Sequence, residues 1–69
     1  MPYRTNDDLP PAVRAHLPPH ARDIYREAFN SAWRQYVERG PGREAIAHRI
    51  AWAAVKRRYR KIGRDWILR

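Results

Sequence analysis

The chain has 69 residues, no cysteine, and 15 Lys and Arg against 7 Asp and Glu, a formal net charge of +8 with a pI near 11.1. So short a chain has room for one domain and little for a deep catalytic cleft. Without cysteine, neither a disulfide framework nor a thiolate metal site can form. The charge favours an anionic partner, whether nucleic acid, an anionic membrane surface or an acidic protein.

The opening MPYRTNDDLPP is polar and holds two acids, so no secretory leader is expected. No apolar run approaches the roughly 20 residues that span a bilayer. Asn6, Asp7 and Asp8 are candidate N-caps for a first short helix. Pro10 and Pro11 would lie in its first turn, where a missing N–H costs least. Leu9, Val13 and Leu17 form its apolar stripe, and Pro18-Pro19 ends it.

A second helix starts at that proline pair. Ala21, Ile24, Tyr25, Ala28, Phe29, Ala32, Trp33 and Tyr36 follow a 3/4 spacing over four turns, with Arg39 in the last turn and Gly40-Pro41-Gly42 as its end. A third helix is predicted from about Arg43 to Ile62, with a stripe of Ala47, Ile50, Ala51, Ala54, Val55, Tyr59 and Ile62 and with Gly63 as its C′ residue. Alanines on both long helices would let the backbones approach closely, and the short link makes them antiparallel neighbours. Asp65-Trp66-Ile67-Leu68 reads as extended. Tyr3-Arg4, at the other chain end, is its candidate partner in a minimal two-stranded antiparallel sheet. The expected fold is mainly α: a compact three-helix domain over residues 1–69, one short helix and two long antiparallel ones, with that small sheet from the chain ends.

Three stretches carry a family resemblance: PYRTNDDLPPAV, LPPHARDIYREAFNSAWRQY and AHRIAWAAVKRRYRK. Together they resemble the ChaB family from Pro2 to about Lys61, and Trp66 is similar to the family's closing tryptophan. The blocks from Ile24 to Trp33 and from Ala47 to Lys56 are the specific part. The resemblance implies three helices with a small antiparallel sheet from the chain ends. It also implies a regulator of cation transport, associated with a sodium/calcium–proton antiporter. Members of the family it resembles also occur in phage and insect-virus genomes, and near nucleic-acid-binding modules, which implies a different role there. The link from Gly40 to Arg43 is short, where many relatives carry a longer polar insert.

The basic run is the main candidate for function. Arg49, Lys56, Arg60 and Arg64 fall at steps of seven, four and four on the predicted third helix, with Arg57 and Lys61 beside them. Such a face, opposite a buried stripe, can lie on a phosphate backbone. Six contacts would give a salt slope of roughly −5. The alternative is a solvated face. No zinc-finger spacing, basic zipper or helix-turn-helix pattern points to base-specific reading.

Phe29, Trp33, Tyr36 and Trp52 sit on apolar stripes and are expected in the core, not stacked on bases. Tyr25 and Tyr59 are expected at its boundary, each hydroxyl at a wet or bonded end. His16 and His20 are separated by Pro18-Pro19 and share no helix face. His48 is expected to be a hydrogen-bonded structural residue. The scattered acids make no calcium loop. Asn30 and Ser31 sit mid-helix against their propensity, which points to a polar contact with a neighbouring segment or to a partner-binding spot. No catalytic constellation is visible. The expected protein is a cytoplasmic, non-enzymatic binding module with no cofactor, metal or small-molecule substrate. Its partner is an anionic macromolecule, either an antiporter-associated protein or nucleic acid.

Overall fold

A computed structural model describes residues 2–69. A 3-10 turn at Asn6–Asp8 leads to helix α1 (Pro11–His16) and then α2 (Pro19–Gln35). A 3-10 segment, Val37–Gly42, connects α2 to α3 (Arg43–Arg58), and a hairpin of β1 (Tyr59–Ile62) and β2 (Asp65–Leu68) follows. The long helices are antiparallel: His20 of α2 meets Tyr59, Tyr25 meets His48, and Trp33 meets Arg43. The mainly α class, one short and two long helices with a small antiparallel sheet, is as the sequence predicts.

The core follows the predicted stripes. Ala21, Tyr25, Phe29 and Ala32 of α2 face Ala47, Ala51 and Val55 of α3, and all are buried. Leu9, Val13 and Leu17 add to the core from the N-terminal part, and Tyr59 from β1. Trp33, Tyr36 and Trp52 are half-buried and pack against its margin.

Prolines set the N-terminal boundaries. A residue before proline is pushed out of the helical region. Leu9 before Pro10, and Pro10 before Pro11, are therefore extended, with ψ of 152° and 144°. The first helix consequently starts at Pro11, and Asn6, Asp7 and Asp8 form a separate 3-10 turn instead of capping it. Leu17 and Pro18 repeat the device before α2, with ψ of 137° and 163°.

The second helix is shorter than its stripe suggested. It stops at Gln35, and the chain tightens into 3-10 geometry through Arg39. Gly40 takes φ 57° and ψ −127° ahead of Pro41, a region open to glycine at little cost. Arg43 then reaches back, and its Nε donates to the Trp33 carbonyl at 2.7 Å. That satisfies one of the carbonyls left free at the end of α2.

The third helix ends at Arg58, four residues before the predicted Ile62. Tyr59 is already extended, with φ −127° and ψ 153°. Gly63 is not a helix cap but the first residue of a two-residue hairpin turn. Its φ is 61° and Arg64 has negative φ, the pattern of a type II′ turn. The register pairs Tyr59 with Leu68, Arg60 with Ile67, Lys61 with Trp66 and Ile62 with Asp65.

The sheet is therefore made by two neighbouring C-terminal segments, not by opposite chain ends. Tyr3 has another partner. Its N–H donates to Asn30 Oδ1 and its carbonyl accepts from Asn30 Nδ2, both at 2.8 Å. The Asn30 amide thus occupies the backbone groups that a strand would have used, while the Tyr3 ring packs on Phe29 with centroids 4.7 Å apart. Nearby, Asn6 donates to Asp23 and accepts from Arg26 Nε at 2.7 Å. The N-terminal segment is fastened to α2 by side-chain amides.

Asn30→Ala removes both bonds to Tyr3 and should lower stability in urea unfolding by about 1–3 kcal/mol. Ser31→Ala, at an exposed position, should stay within about 0.5 kcal/mol of the parent. Equal effects from the two variants would contradict the fastening role of Asn30.

Candidate partner-binding surface

The C-terminal hairpin is held on the helices by aromatic contacts and three hydrogen bonds. Trp66 of β2 stacks on Trp52 of α3, with ring centroids 5.7 Å apart at 29°. Trp52 in turn meets the buried Tyr25 edge-on at 5.1 Å. The Tyr59 hydroxyl bonds His20 Nδ1 at 3.0 Å, tying β1 to α2. Arg69 closes the hairpin: its N–H donates to the Arg58 carbonyl and its Nε to the Lys56 carbonyl, both at 2.8 Å. Those carbonyls lie in the last turn of α3, where the negative end of the helix dipole favours a cation.

Tyr25 and Tyr59 are buried, not at the boundary, and each hydroxyl has an imidazole partner. For Tyr25 the partner is His48 Nδ1. His48 Nε2 faces the Glu44 carboxylate at 3.6 Å, so a proton on Nε2 leaves Nδ1 free to accept from the phenol. Burial raises the pKa of Tyr25 well above the usual phenol value, with nearby Tyr3 adding to the effect. Tyr3 is also shifted upward, first by burial and then by Glu44.

The predicted cationic face is divided. Arg49, Lys56 and Arg57 lie on α3, Arg60 and Lys61 on β1, and Arg64 in the turn. All six are exposed. Five of them lie in the last turn of α3 and along the hairpin that follows it. Arg49 stands apart, about 10 Å up the helix from Lys56 by its rise. Because α3 stops at Arg58, the helical spacing that aligned Arg60 and Arg64 with Lys56 does not apply. The same end carries Arg58, which the sequence reading passed over although it lies within the same run. Arg69, also passed over, serves the fold. Among the described residues the ion pairs are Arg26–Asp23 and His48–Glu44, so these exposed cations are unpaired there and can meet a surface of phosphates or carboxylates.

Beside the hairpin, an open groove of about 540 Å³ runs between α2 and α3. Half-buried Ile24, Ala28 and Ala54 line it, with Glu27, Arg57 and Arg58 at its exposed margin. Among the described residues, no group of three or more His, Asp or Glu could hold a metal ion. No helix there is long and apolar enough to cross a membrane.

The model of one family, ChaB, matches residues 9–69. This chain belongs to the ChaB family. A relative in Escherichia coli K12, named "Putative cation transport regulator ChaB", is 54% identical over 88% of this chain and 87% of its own length. A Shigella flexneri relative of the same name has the same identity and coverage. The solution structure titled "NMR solution structure of the putative cation transport regulator ChaB" superposes with a TM-score of 0.88 at 49% identity, covering 99% of both chains. The three helices and small sheet described above are thus the ChaB fold.

The raised Tyr25 and Tyr3 pKa values make stability sensitive to alkali. Folding favours the neutral phenol, so above about pH 10 the unfolded chain sheds the proton first. The stabilisation is complete below that pH and declines as pH rises toward the folded-state values. Urea unfolding across an alkaline series should show this decline, and Tyr25→Phe should flatten part of it. An unchanged slope in Tyr25→Phe would mean that Tyr25 does not carry it.

Proposed function

We propose that this ChaB-family protein is a non-enzymatic regulatory module that acts on cation transport as a single unit, by contact with another macromolecule. The observation that carries this reading is family membership across most of the chain, with 54%-identical relatives that bear the name of cation transport regulators. The cation-binding variant of the reading draws no support from the side chains, since among the described residues the acids and histidines do not cluster. Regulation then works through surface contact. The five cations Lys56, Arg57, Arg60, Lys61 and Arg64 supply an anion-seeking surface, and the partner is an acidic face associated with a sodium/calcium–proton antiporter. The module works from the cytoplasm.

The alternative is a sequence-tolerant nucleic-acid binder that uses the same cations with Arg49. Its support is the net charge of +8. The continuous helical face it was built on is not formed, because α3 ends at Arg58.

Everted membrane vesicles carrying sodium/calcium–proton antiport provide the test. Adding the purified protein should shift the rate, or the half-saturating cation concentration, of cation-driven collapse of the pH gradient. The variant Arg60→Gln/Lys61→Gln/Arg64→Gln should lose most of that shift while retaining its helical circular dichroism. Antiport that is indifferent to the parent protein at every concentration would sink the regulatory reading.

A further inference from the structure

We infer that the outer face of the C-terminal hairpin is a docking surface for the interface of an anionic phospholipid bilayer. The observation is a coincidence of two unusual features at one end of the chain. Of its 15 Lys and Arg, three (Arg60, Lys61 and Arg64) lie on the hairpin's strands and turn, and three more (Lys56, Arg57 and Arg58) lie in the last turn of α3 that leads into it, with Asp65 the one acid there. Of the four exposed large hydrophobic residues among those described, three are Ile62, Ile67 and Leu68.

The register sorts these residues by face. Cross-strand partners point the same way, and successive pairs alternate. Tyr59 with Leu68 and Lys61 with Trp66 share the face that packs toward the helices, where Tyr59 is buried and Trp66 stacks on Trp52. Arg60 with Ile67 and Ile62 with Asp65 therefore point outward. Ile62 and Ile67 are 49% and 45% exposed, with Arg60 opposite Ile67, Asp65 opposite Ile62 and Arg64 at the turn. Leu68 lies at the inner margin and is 59% exposed.

An anionic bilayer answers both features. Its phosphates meet the cations, and its glycerol and upper acyl region takes the two isoleucines out of water. An apolar anchor and a polybasic patch are each weak alone and effective together. Nucleic acid answers only the charge. Single strands are held by exposed aromatic rings, but the exposed large hydrophobics here are all aliphatic, and the hairpin's Trp66 is committed to Trp52. Duplex backbone gives isoleucine nothing to bury against. The inference does not rest on the cation-transport reading, because protein-free lipid contains no transporter.

Co-sedimentation of the full chain with phosphatidylcholine vesicles, and with vesicles also containing phosphatidylglycerol, tests it near physiological salt. Binding is expected only with the anionic lipid. Ile62→Ser/Ile67→Ser, at exposed positions, should keep the parent's circular dichroism and bind about tenfold more weakly or worse. Arg60→Gln/Arg64→Gln should lose about fivefold per cation. Three results would each overturn the inference. One is no binding to anionic vesicles. Another is parent-strength binding by the isoleucine variant, which would reduce the effect to general polyanion attraction. The third is random-sequence duplex DNA displacing the protein from vesicles at a lower phosphate concentration than the lipid presents. Self-association lost in the isoleucine variant, without vesicle binding, would assign the face to a second copy of the chain.

Discussion

Tyr25 is wholly buried between the two long helices, so its hydroxyl needs an internal partner. An unpaired phenol there would carry the full cost of desolvation. His48, one helix away, is that partner, and the bond sets how far α3 can slide along α2. The consequences pass outward through rings. Tyr25 presents its ring to the edge contact with Trp52, and Trp52 carries Trp66. The C-terminal hairpin is therefore linked through two ring contacts to the buried Tyr25. Alanines at 21, 32, 47 and 51 permit the close approach that this geometry requires.

A second constraint acts from the N-terminal side. Residues 2–10 contain no regular strand or long helix, and their backbone groups still need partners. A side-chain amide on α2 meets the need at Tyr3. Asn30 accepts from the Tyr3 N–H and donates to the Tyr3 carbonyl, and Asn6 adds side-chain bonds to Asp23 and Arg26. Two residues that helix propensity disfavours, Asn30 and Ser31, are adjacent, yet they differ in role. Asn30 is half-buried and holds the segment, whereas Ser31 faces solvent.

Periodicity makes the helices legible because their buried stripes recur every three or four residues, and the proline pairs and Gly40-Pro41-Gly42 mark the breaks. The hydrogen-bonded state of His48 was also legible, and for Asn30 the polar contact was one of the two readings that its mid-helix place against propensity leaves open. The hairpin departs from the expected helix and chain-end sheet for a physical reason. Tyr59 and Ile62 are three apart, a spacing that suits a helical stripe, and Gly63 suits both a helix C′ position and the first place of a type II′ turn. The signal that separates the two is two four-residue runs, YRKI and DWIL, about a Gly-Arg pair. Pairing of the chain ends failed because a side chain can occupy backbone groups as well as a strand can. Whether a given residue does so depends on tertiary contact at 27 residues' separation. The candidate cations were legible as residues but not as a face, since their alignment depended on where the helix stopped.

That stopping point changes what the charge can do. On a continued helix, Arg60, Lys61 and Arg64 would span about one further turn of α3. Ending α3 at Arg58 places them instead on a hairpin, beside the exposed Ile62 and Ile67. Concentrating like charge in this way costs the folded state through self-repulsion, and Arg69 offsets part of the cost by serving the helix end. The buried core among the described residues includes none of the exposed cations. Their crowding at the end of α3 and on the hairpin is therefore a property of the surface, where an anionic partner would relieve the repulsion that the fold alone must bear.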